Sequence, residues 1–400
     1  MTLNLHLADR TPAMDASAIR EILKVVSQPG MISLAGGIPA PESFPMTILP
    51  QIIDSVLTRY AEKAFQYDLS EGFMPLREAL AGYLKHYGQI MVSPPSILIG
   101  SGSQGILDGI AKVLISPGDP VAVEAPTYLG AIQAFNPYQP RYIRLETDDV
   151  GLIPDSLNRV LENEAVKFVY LVPTFQNPTG RTLPLGRREA IARIIKRHGT
   201  LLVEDDPYSA LRYRGEPVAP IKTLAPDNVV YISTLSKVFA PGLRIGFCVA
   251  PEALRRWLVI AKQGVDLHSG TFDQALAAEY ITGGYLDRHL PRIRQLYAPR
   301  QMAMLKALEH YLPSGCKWSQ PQGGMFIWLQ GPVGLEMEAI YHRSIRRKVA
   351  YVPGKFFFTK EGEGLQTARL NYTMCDEKTI DTAISILADV MKAVQEEIDE

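Results

Sequence analysis

Cysteine is scarce in this chain of 400 residues: three are present, at positions 248, 316 and 375, far apart and odd in number. They fit no metal-ligand spacing and suggest a reducing compartment. An excess of charge of one sign is also missing. A formal net charge of -1 gives no electrostatic case for nucleic acid or for an anionic membrane surface. No uninterrupted apolar run is long enough to span a bilayer, and the opening stretch "MTLNLHLADRTPAMDASAIR" carries charges and lacks the long apolar region of a secretory signal. Low-complexity tails, charge blocks and evident internal repeats are absent too. What is present is ordinary for a globular protein, 46% apolar and 21% charged, and the expectation is a soluble cytoplasmic enzyme. The length exceeds that at which a single core usually stops growing, so two domains are expected, or one large α/β domain with an attachment.

Short apolar runs alternate with longer helical periodicities. The runs predict strands at Ile97–Ile99, Val121–Glu124, Phe168–Val172, Leu201–Glu204, Val229–Ser233 and Ile245–Val249. Between them, stretches such as "QGILDGIAKVLI" and "LPLGRREAIARIIKRHG" place apolar residues three and four apart, as helices do. Continuously apolar strands separated by helices imply an α/β fold, a three-layer α/β/α domain with a mostly parallel sheet covered on both faces. The strands lead into "GSGSQ", "APTY", "PTFQNPTG", "EDDPY" and "STLSK", so five polar or glycine-bearing loops converge on the carboxyl ends, where open α/β sheets bind ligands.

After about residue 290 the rhythm changes to a long helix near Leu286–Tyr311, then "GGMFIWLQ", a helix near Leu335–Arg347, "VAYVPG", "ARLNYT" and a final helix from about Glu377. That order predicts a smaller α+β domain. The expected division is an N-terminal arm over residues 1–45, packed on the small domain and the cleft, a large domain over 46–290, and a small C-terminal domain over 291–400.

Single motifs leave their chemistry open. "LIGSGSQGILDGI" is a strand, a small-residue turn and a helix start, which suits one phosphate, or is a plain tight turn; it lacks the lysine of a P-loop. In "LLVEDDPYSAL" an acid is a ribose contact, a metal ligand or a turn cap, and no neighbouring histidine supports a metal. "FQNPTG" is composed of turn dipeptides. Lys237, in "STLSKVFAPGLR", is a surface cation or an amine whose pKa is lowered among apolar neighbours, fit to attack a carbonyl. Joined to a phosphate nest, an acid at a neighbouring strand end and Arg244, it completes the set that pyridoxal phosphate needs: a Schiff-base lysine, a carboxylate for the ring nitrogen and a site for one phosphate.

From "ASAIREIL" and "ISLAGGIPAPESFP" through "QYDLSEG", "APTYLGAIQAF", "PTFQNPTG", "VEDDPY" and "SKVFAPGLRIGF" to "ARLNY", the chain resembles the fold-type I pyridoxal-phosphate-dependent aminotransferases, in the branch of 2-aminoadipate aminotransferase and kynurenine aminotransferase II. The resemblance implies an aspartate aminotransferase-like fold and pyridoxal 5'-phosphate held on Lys237, which then shuttles the substrate proton. It implies that Asp205 keeps the ring nitrogen protonated, that Tyr208 and Asn177 bond the phenolic oxygen, and that Tyr128 stacks on the ring. Ser103, Gln104, Thr234, Ser236 and Arg244 are implied for the phosphate, together with Tyr67 from the other subunit of a homodimer. Thr234 stands where relatives usually carry Ser, which keeps the hydroxyl. Arg369 is implied to pair with the substrate α-carboxylate, with Gly37 and Asn177 beside it.

Bland alternatives stand beside several of these: Tyr128 as core packing, Tyr67 as a surface aromatic, and Arg20 as a solvated helix residue near Glu21. An inward-facing Arg369 needs an anion, so function is the simpler account there. His268 is expected to be structural or near the dimer contact. Arg20 matches a branch position on an N-terminal helix that meets an acidic substrate side chain. The expected reaction is transamination between glutamate and 2-oxoglutarate on one side and a 2-aminoadipate, aromatic or branched-chain partner on the other. The alternatives are a pyridoxal-dependent lyase or decarboxylase on the same fold and a ligand sensor without turnover. A chain that starts at the catalytic region with no basic helix-turn-helix segment argues against DNA binding.

Overall fold

The structure, a computed structural model, describes residues 6–14, 26 and 28–399. Its largest sheet has seven strands: β1 Ile97–Ser101, β2 Pro120–Glu124, β3 Arg141–Leu145, β4 Val169–Leu171, β5 Leu202–Asp205, β6 Val229–Thr234 and β7 Ile245–Val249. Their spatial order is β1-β7-β6-β5-β4-β2-β3. Neighbours from β3 to β6 run parallel, whereas β7 is antiparallel to both β6 and β1. The interior strands are buried along almost their whole length, as continuous apolar runs under helices on both faces require.

The alternation of side chains assigns the two faces. Val169, Leu171, Leu202 and Val229 feed one apolar cluster, while Tyr170, Val203, Val230 and Ile232 feed the opposite one. β3 was not predicted from sequence, because "RYIRL" mixes arginines into the run. It is one of the two sheet edges, and Arg141 and Arg144 project from it to Glu164 and Glu363 at 2.7 Å each. Charged residues on an edge strand discourage pairing with another chain.

A second, antiparallel sheet is built from β8 Lys317–Trp318, β9 Phe326–Gln330, β10 Val352–Pro353 and β11 Thr367–Asn371, in the order β8-β9-β11-β10. Leu329, Ala368 and Leu370 share a core with Met304 and Leu308 of helix Tyr285–Tyr311 and with Ile384 and Leu387 of helix Glu377–Asp399. The expected helix at Leu335–Arg347 is found at Met337–Arg346. The N-terminal segment is tied to this region: Ile32–Ser33 pairs in parallel with Val349–Ala350, and the amide of Asn371 donates to the Leu34 carbonyl at 2.8 Å. Among the described residues no helix is long and apolar enough to cross a membrane.

Candidate active site

The run Glu204-Asp205-Asp206 ends β5, and strand periodicity splits its three acids. Glu204 accepts the amides of Ile221 and Lys222 at 2.9 and 2.8 Å, one on each oxygen. Asp206 accepts the Tyr231 hydroxyl at 2.9 Å and the Ser209 amide at 3.1 Å. Both carboxylates are fully engaged in holding loops. Asp205, buried on the other face, accepts one bond to Oδ2 from the Tyr170 hydroxyl at 2.8 Å, and Oδ1 has no partner. Burial pushes Asp205 up to about 7, opposed by the Tyr170 bond and aided by the charge of Asp206. An acid oxygen kept dry and unpaired is costly unless a ligand donor meets it.

Lys237 lies in the loop after β6, whose turn is set by the amides of Val238 and Phe239 donating back to the Leu235 carbonyl. Leu235, Val238 and Phe239 are all buried, and they anchor the loop, while Lys237 is half-buried. Its Nζ donates to the Gly37 carbonyl at 2.8 Å. Burial, and then the positive charges of Arg369 and Arg244, lower its pKa to about 8. An amine poised there is available as a nucleophile and as a base near neutral pH.

Arg369 projects from β11 and is 1% exposed, yet no carboxylate pairs with it among the described residues. Its Nη1 donates to Asn177 Oδ1 at 3.0 Å and its Nη2 to the Ala35 carbonyl at 2.6 Å, while Nε has no partner. The guanidinium lies over the rings of Phe326 and Phe357, at 4.3 and 5.1 Å from their centroids. Burial lowers its pKa to about 10, so it stays charged at neutral pH. A dry, positive fork with an open edge is a receptor for a carboxylate. Asn177 turns its amide nitrogen to the Tyr208 hydroxyl at 3.4 Å, linking the arginine to the tyrosine. Tyr208 is buried, and burial raises its pKa well above the ordinary value, so it remains a neutral donor.

The antiparallel direction of β7 explains the remaining cluster. A strand that runs against its neighbours begins where theirs end, so Arg244 arrives beside the ends of β1 and β6. There helix Gly102–Leu114 begins, and Gly246 faces Thr234 on one side and Gly100 on the other. A Cβ at Gly246 would overlap the backbone of Gly102 and Ser103, and a Cβ at Gly102, at φ +73°, would overlap the Arg244 guanidinium. The glycines therefore let a helix N-terminus, an arginine and the Thr234–Ser236 hydroxyls crowd together, a concavity suited to one small anion. The hydroxyl of Thr234 lies 2.8 Å from the Ile245 carbonyl and 2.9 Å from Ser236 Oγ. The side chain of Gln104 donates to the Gly130 carbonyl at 2.7 Å, which leaves its backbone amide for the helix start.

Tyr128 precedes helix Leu129–Phe135, its ring so close over Gly130 that a side chain there would collide. Tyr67 stands apart: it is 78% exposed and meets the edge of His268, at 5.6 Å between centroids. His268 in turn bonds the Ser269 carbonyl at 2.8 Å. Arg20 lies outside the described residues. Residues that sequence reasoning missed are Tyr170, which holds Asp205, and Phe326, which floors Arg369. The alternation in β4 and β5 is the signal that could have found Tyr170, two residues along a shared face from Asp205.

Residues 32–387 match the family described as aminotransferase class I and II. An aromatic-amino-acid aminotransferase of Thermococcus litoralis is 45% identical over 393 residues, spanning 97% of this chain and 94% of its own. The crystal structure of a kynurenine aminotransferase of Pyrococcus horikoshii, in complex with PMP, is 44% identical with a TM-score of 0.92 over 97% of each chain. That of an α-aminoadipate aminotransferase of Thermus thermophilus, complexed with N-(5'-phosphopyridoxyl)-L-leucine, is 37% identical with a TM-score of 0.90, covering 97% of this chain and 98% of the other.

Proposed function

The chain belongs to the class I and II aminotransferases and is a pyridoxal-phosphate-dependent enzyme of fold type I; we propose that it exchanges amino groups between glutamate and 2-oxoglutarate on one side and a 2-aminoadipate, aromatic or branched-chain pair on the other. The observation that carries the residue roles is the pair of buried, unpartnered polar atoms at the cleft, Asp205 Oδ1 and Arg369 Nε. Pyridoxal phosphate, when bound, supplies an electron-accepting ring and an aldehyde carbon for amines.

In this reading Lys237 holds the cofactor and then, as a free amine, carries the proton at the substrate Cα. Its depressed pKa favours both tasks. Asp205 Oδ1 takes the ring N–H. Tyr208 and Asn177 bond the phenolic oxygen, and Tyr128 covers the ring face. The amides of Ser103 and Gln104, with Thr234, Ser236 and Arg244, hold the phosphate. Arg369 receives the α-carboxylate through its open edge, with Asn177 keeping the fork in plane and the Gly37 carbonyl releasing Lys237.

The breadth of partner rests on the relatives, whose names span aromatic, kynurenine and α-aminoadipate substrates and one leucine adduct. Arg20 is assigned the acidic side chain. A homodimer is supported by exposed Phe65, Tyr67, Leu69, Val265 and Leu267, an unusual density of apolar surface around the segment that would carry Tyr67 to the partner's phosphate. The proposed division is an arm over residues 1–45, a large domain over 46–290 and a small domain over 291–400; the two sheets support it, although helix Tyr285–Tyr311 runs across the second boundary.

The test is the near-visible absorbance of the purified holoenzyme during titration with single amino acids. Glutamate should convert the cofactor to its amine form and 2-oxoglutarate should restore it. Loss of carbon dioxide or of a side-chain fragment in place of that cycle would make the enzyme a lyase. Repeating the panel on Arg20→Ala should weaken 2-aminoadipate and glutamate while sparing aromatic substrates, and equal effects on both would remove Arg20 from recognition.

A further inference from the structure

Tyr170 has no role in the assignments above, yet among the described residues it is the only side chain that bonds the Asp205 carboxylate. β4 and β5 are parallel, with Tyr170 opposite Val203. Val203 and Asp205 share a face, so a long side chain leaning along its strand reaches the acid diagonally. The tyrosine is wholly buried, edge-on to Phe135 at 5.7 Å, and belongs to the same apolar cluster as Phe168, Val203 and Ile232. In those surroundings its hydroxyl proton is held firmly, because burial and the Asp205 charge raise the phenol well above its ordinary range. It can therefore act toward the carboxylate only as a donor.

A carboxylate and a pyridine nitrogen that share one proton form a pair in which either partner can hold it. A hydrogen bond donated to the carboxylate stabilises the ionised acid and lowers its proton affinity. Without that bond, a carboxylate in an apolar pocket becomes the stronger base and draws the proton from the ring.

We propose that Tyr170 is a positioning residue for the cofactor ring: by donating to Oδ2 it leaves Oδ1 for the ring nitrogen and keeps the shared proton on that nitrogen. The inference rests on the assignment of Asp205 to the ring. Tyr170 makes no contact with substrate in this account; it acts through the acid.

The experiment is nitrogen NMR of the holoenzyme loaded with cofactor labelled at the ring nitrogen. The wild type should give a protonated-ring shift. Tyr170→Phe should move it toward the neutral pyridine position at the same pH, with kcat lowered and KM little changed. Replacing Tyr170 with a fluorinated tyrosine keeps the shape and strengthens the donor, so at the same pH the shift should lie further toward the protonated-ring position than in the wild type. That arm decides the matter if the phenylalanine variant folds poorly, and a purely structural tyrosine would move neither shift. Asp205→Asn is the control. If it loses the protonated signal while both Tyr170 changes leave it at the wild-type position, the positioning role is overturned. If Asp205→Asn itself keeps the signal, the assignment of Asp205 falls and the inference with it.

Discussion

The two faces of β5 bury charge in opposite ways. On one, Arg188 is 1% exposed and donates to the Leu183, Pro173 and Ala219 carbonyls and to Thr174 Oγ1, at 2.8 to 3.2 Å. Nearby, Glu204 and Asp206 likewise have partners at both oxygens. On the cleft face Arg369 is equally buried, yet one nitrogen is unpaired, and Asp205 has one unpaired oxygen. Burial by itself does not separate structure from function. Among these five groups completeness of hydrogen bonding does, because a saturated charge holds loops together while an unsaturated one stores a penalty that a ligand can relieve; Arg212 Nη2 is also unpartnered and has no part in the site.

Changes on the cleft face should therefore abolish chemistry and spare the fold. The largest expected effect is that of Lys237→Ala, which should lose the cofactor-linked visible band and every half-reaction, with turnover down by at least about a thousandfold. A variant that retained the band and normal transamination would place the covalent amine elsewhere. Next comes Arg369→Lys, which keeps the charge but loses the fork and leaves Asn177 Oδ1 without its donor. Here kcat/KM should fall on the order of a hundredfold for all α-amino acids alike. A loss confined to acidic substrates would assign Arg369 to the side chain instead of the α-carboxylate.

The neighbouring acids turn the comparison into opposite signs of stability. In the cofactor-free protein, Asp205→Asn removes a carboxylate that burial disfavours and should raise the melting temperature while abolishing activity, a separation typical of strained functional groups. Glu204→Gln sets an amide N–H2 against a backbone N–H donor and should destabilise by about 1–3 kcal/mol, with the residual folded enzyme still active. Differential scanning calorimetry paired with a turnover assay reads both. Two variants shifted in the same direction would show that pairing does not distinguish the faces.

This distinction was only partly legible in the sequence. Apolar runs and loop composition located six of the seven strands of the large sheet and the carboxyl-end cleft, because continuous burial leaves a continuous apolar signature. β3 was illegible because an edge strand owes its arginines to solvent and to negative neighbours. The three acids of "EDD" could not be told apart from composition, since their difference lies in what faces them: two amides for Glu204, a tyrosine and an amide for Asp206, and a single tyrosine for Asp205. Arg244 was recognisable, but the reason it reaches the cluster is the reversed direction of β7, a fact of topology. The resemblance to a family supplied roles for single residues, and the unpartnered atoms at Asp205 and Arg369 supply a physical reason for two of them.

The last effect is the cleanest in sign. In the cofactor-free chain Lys237 has a pKa of about 8 against an ordinary 10.5, so between those values the unfolded chain holds a proton that the folded chain lacks. Stability then rises with pH across that window, and the contribution is lost as pH falls toward 8. Asp205 behaves in the opposite sense. Its folded pKa of about 7 lies above the ordinary 3.8, so its contribution is complete below 3.8 and is lost as pH rises through 7. Lys237→Met should therefore be more stable than the wild type at pH 8, with the advantage shrinking toward pH 10.5 by at most roughly 3 kcal/mol. Denaturant unfolding of both proteins at several pH values measures that difference directly. A gap between them that stayed constant from pH 8 to 10.5 would mean that Lys237 keeps its proton in the fold, and that the cleft prepares its amine only once the cofactor has arrived.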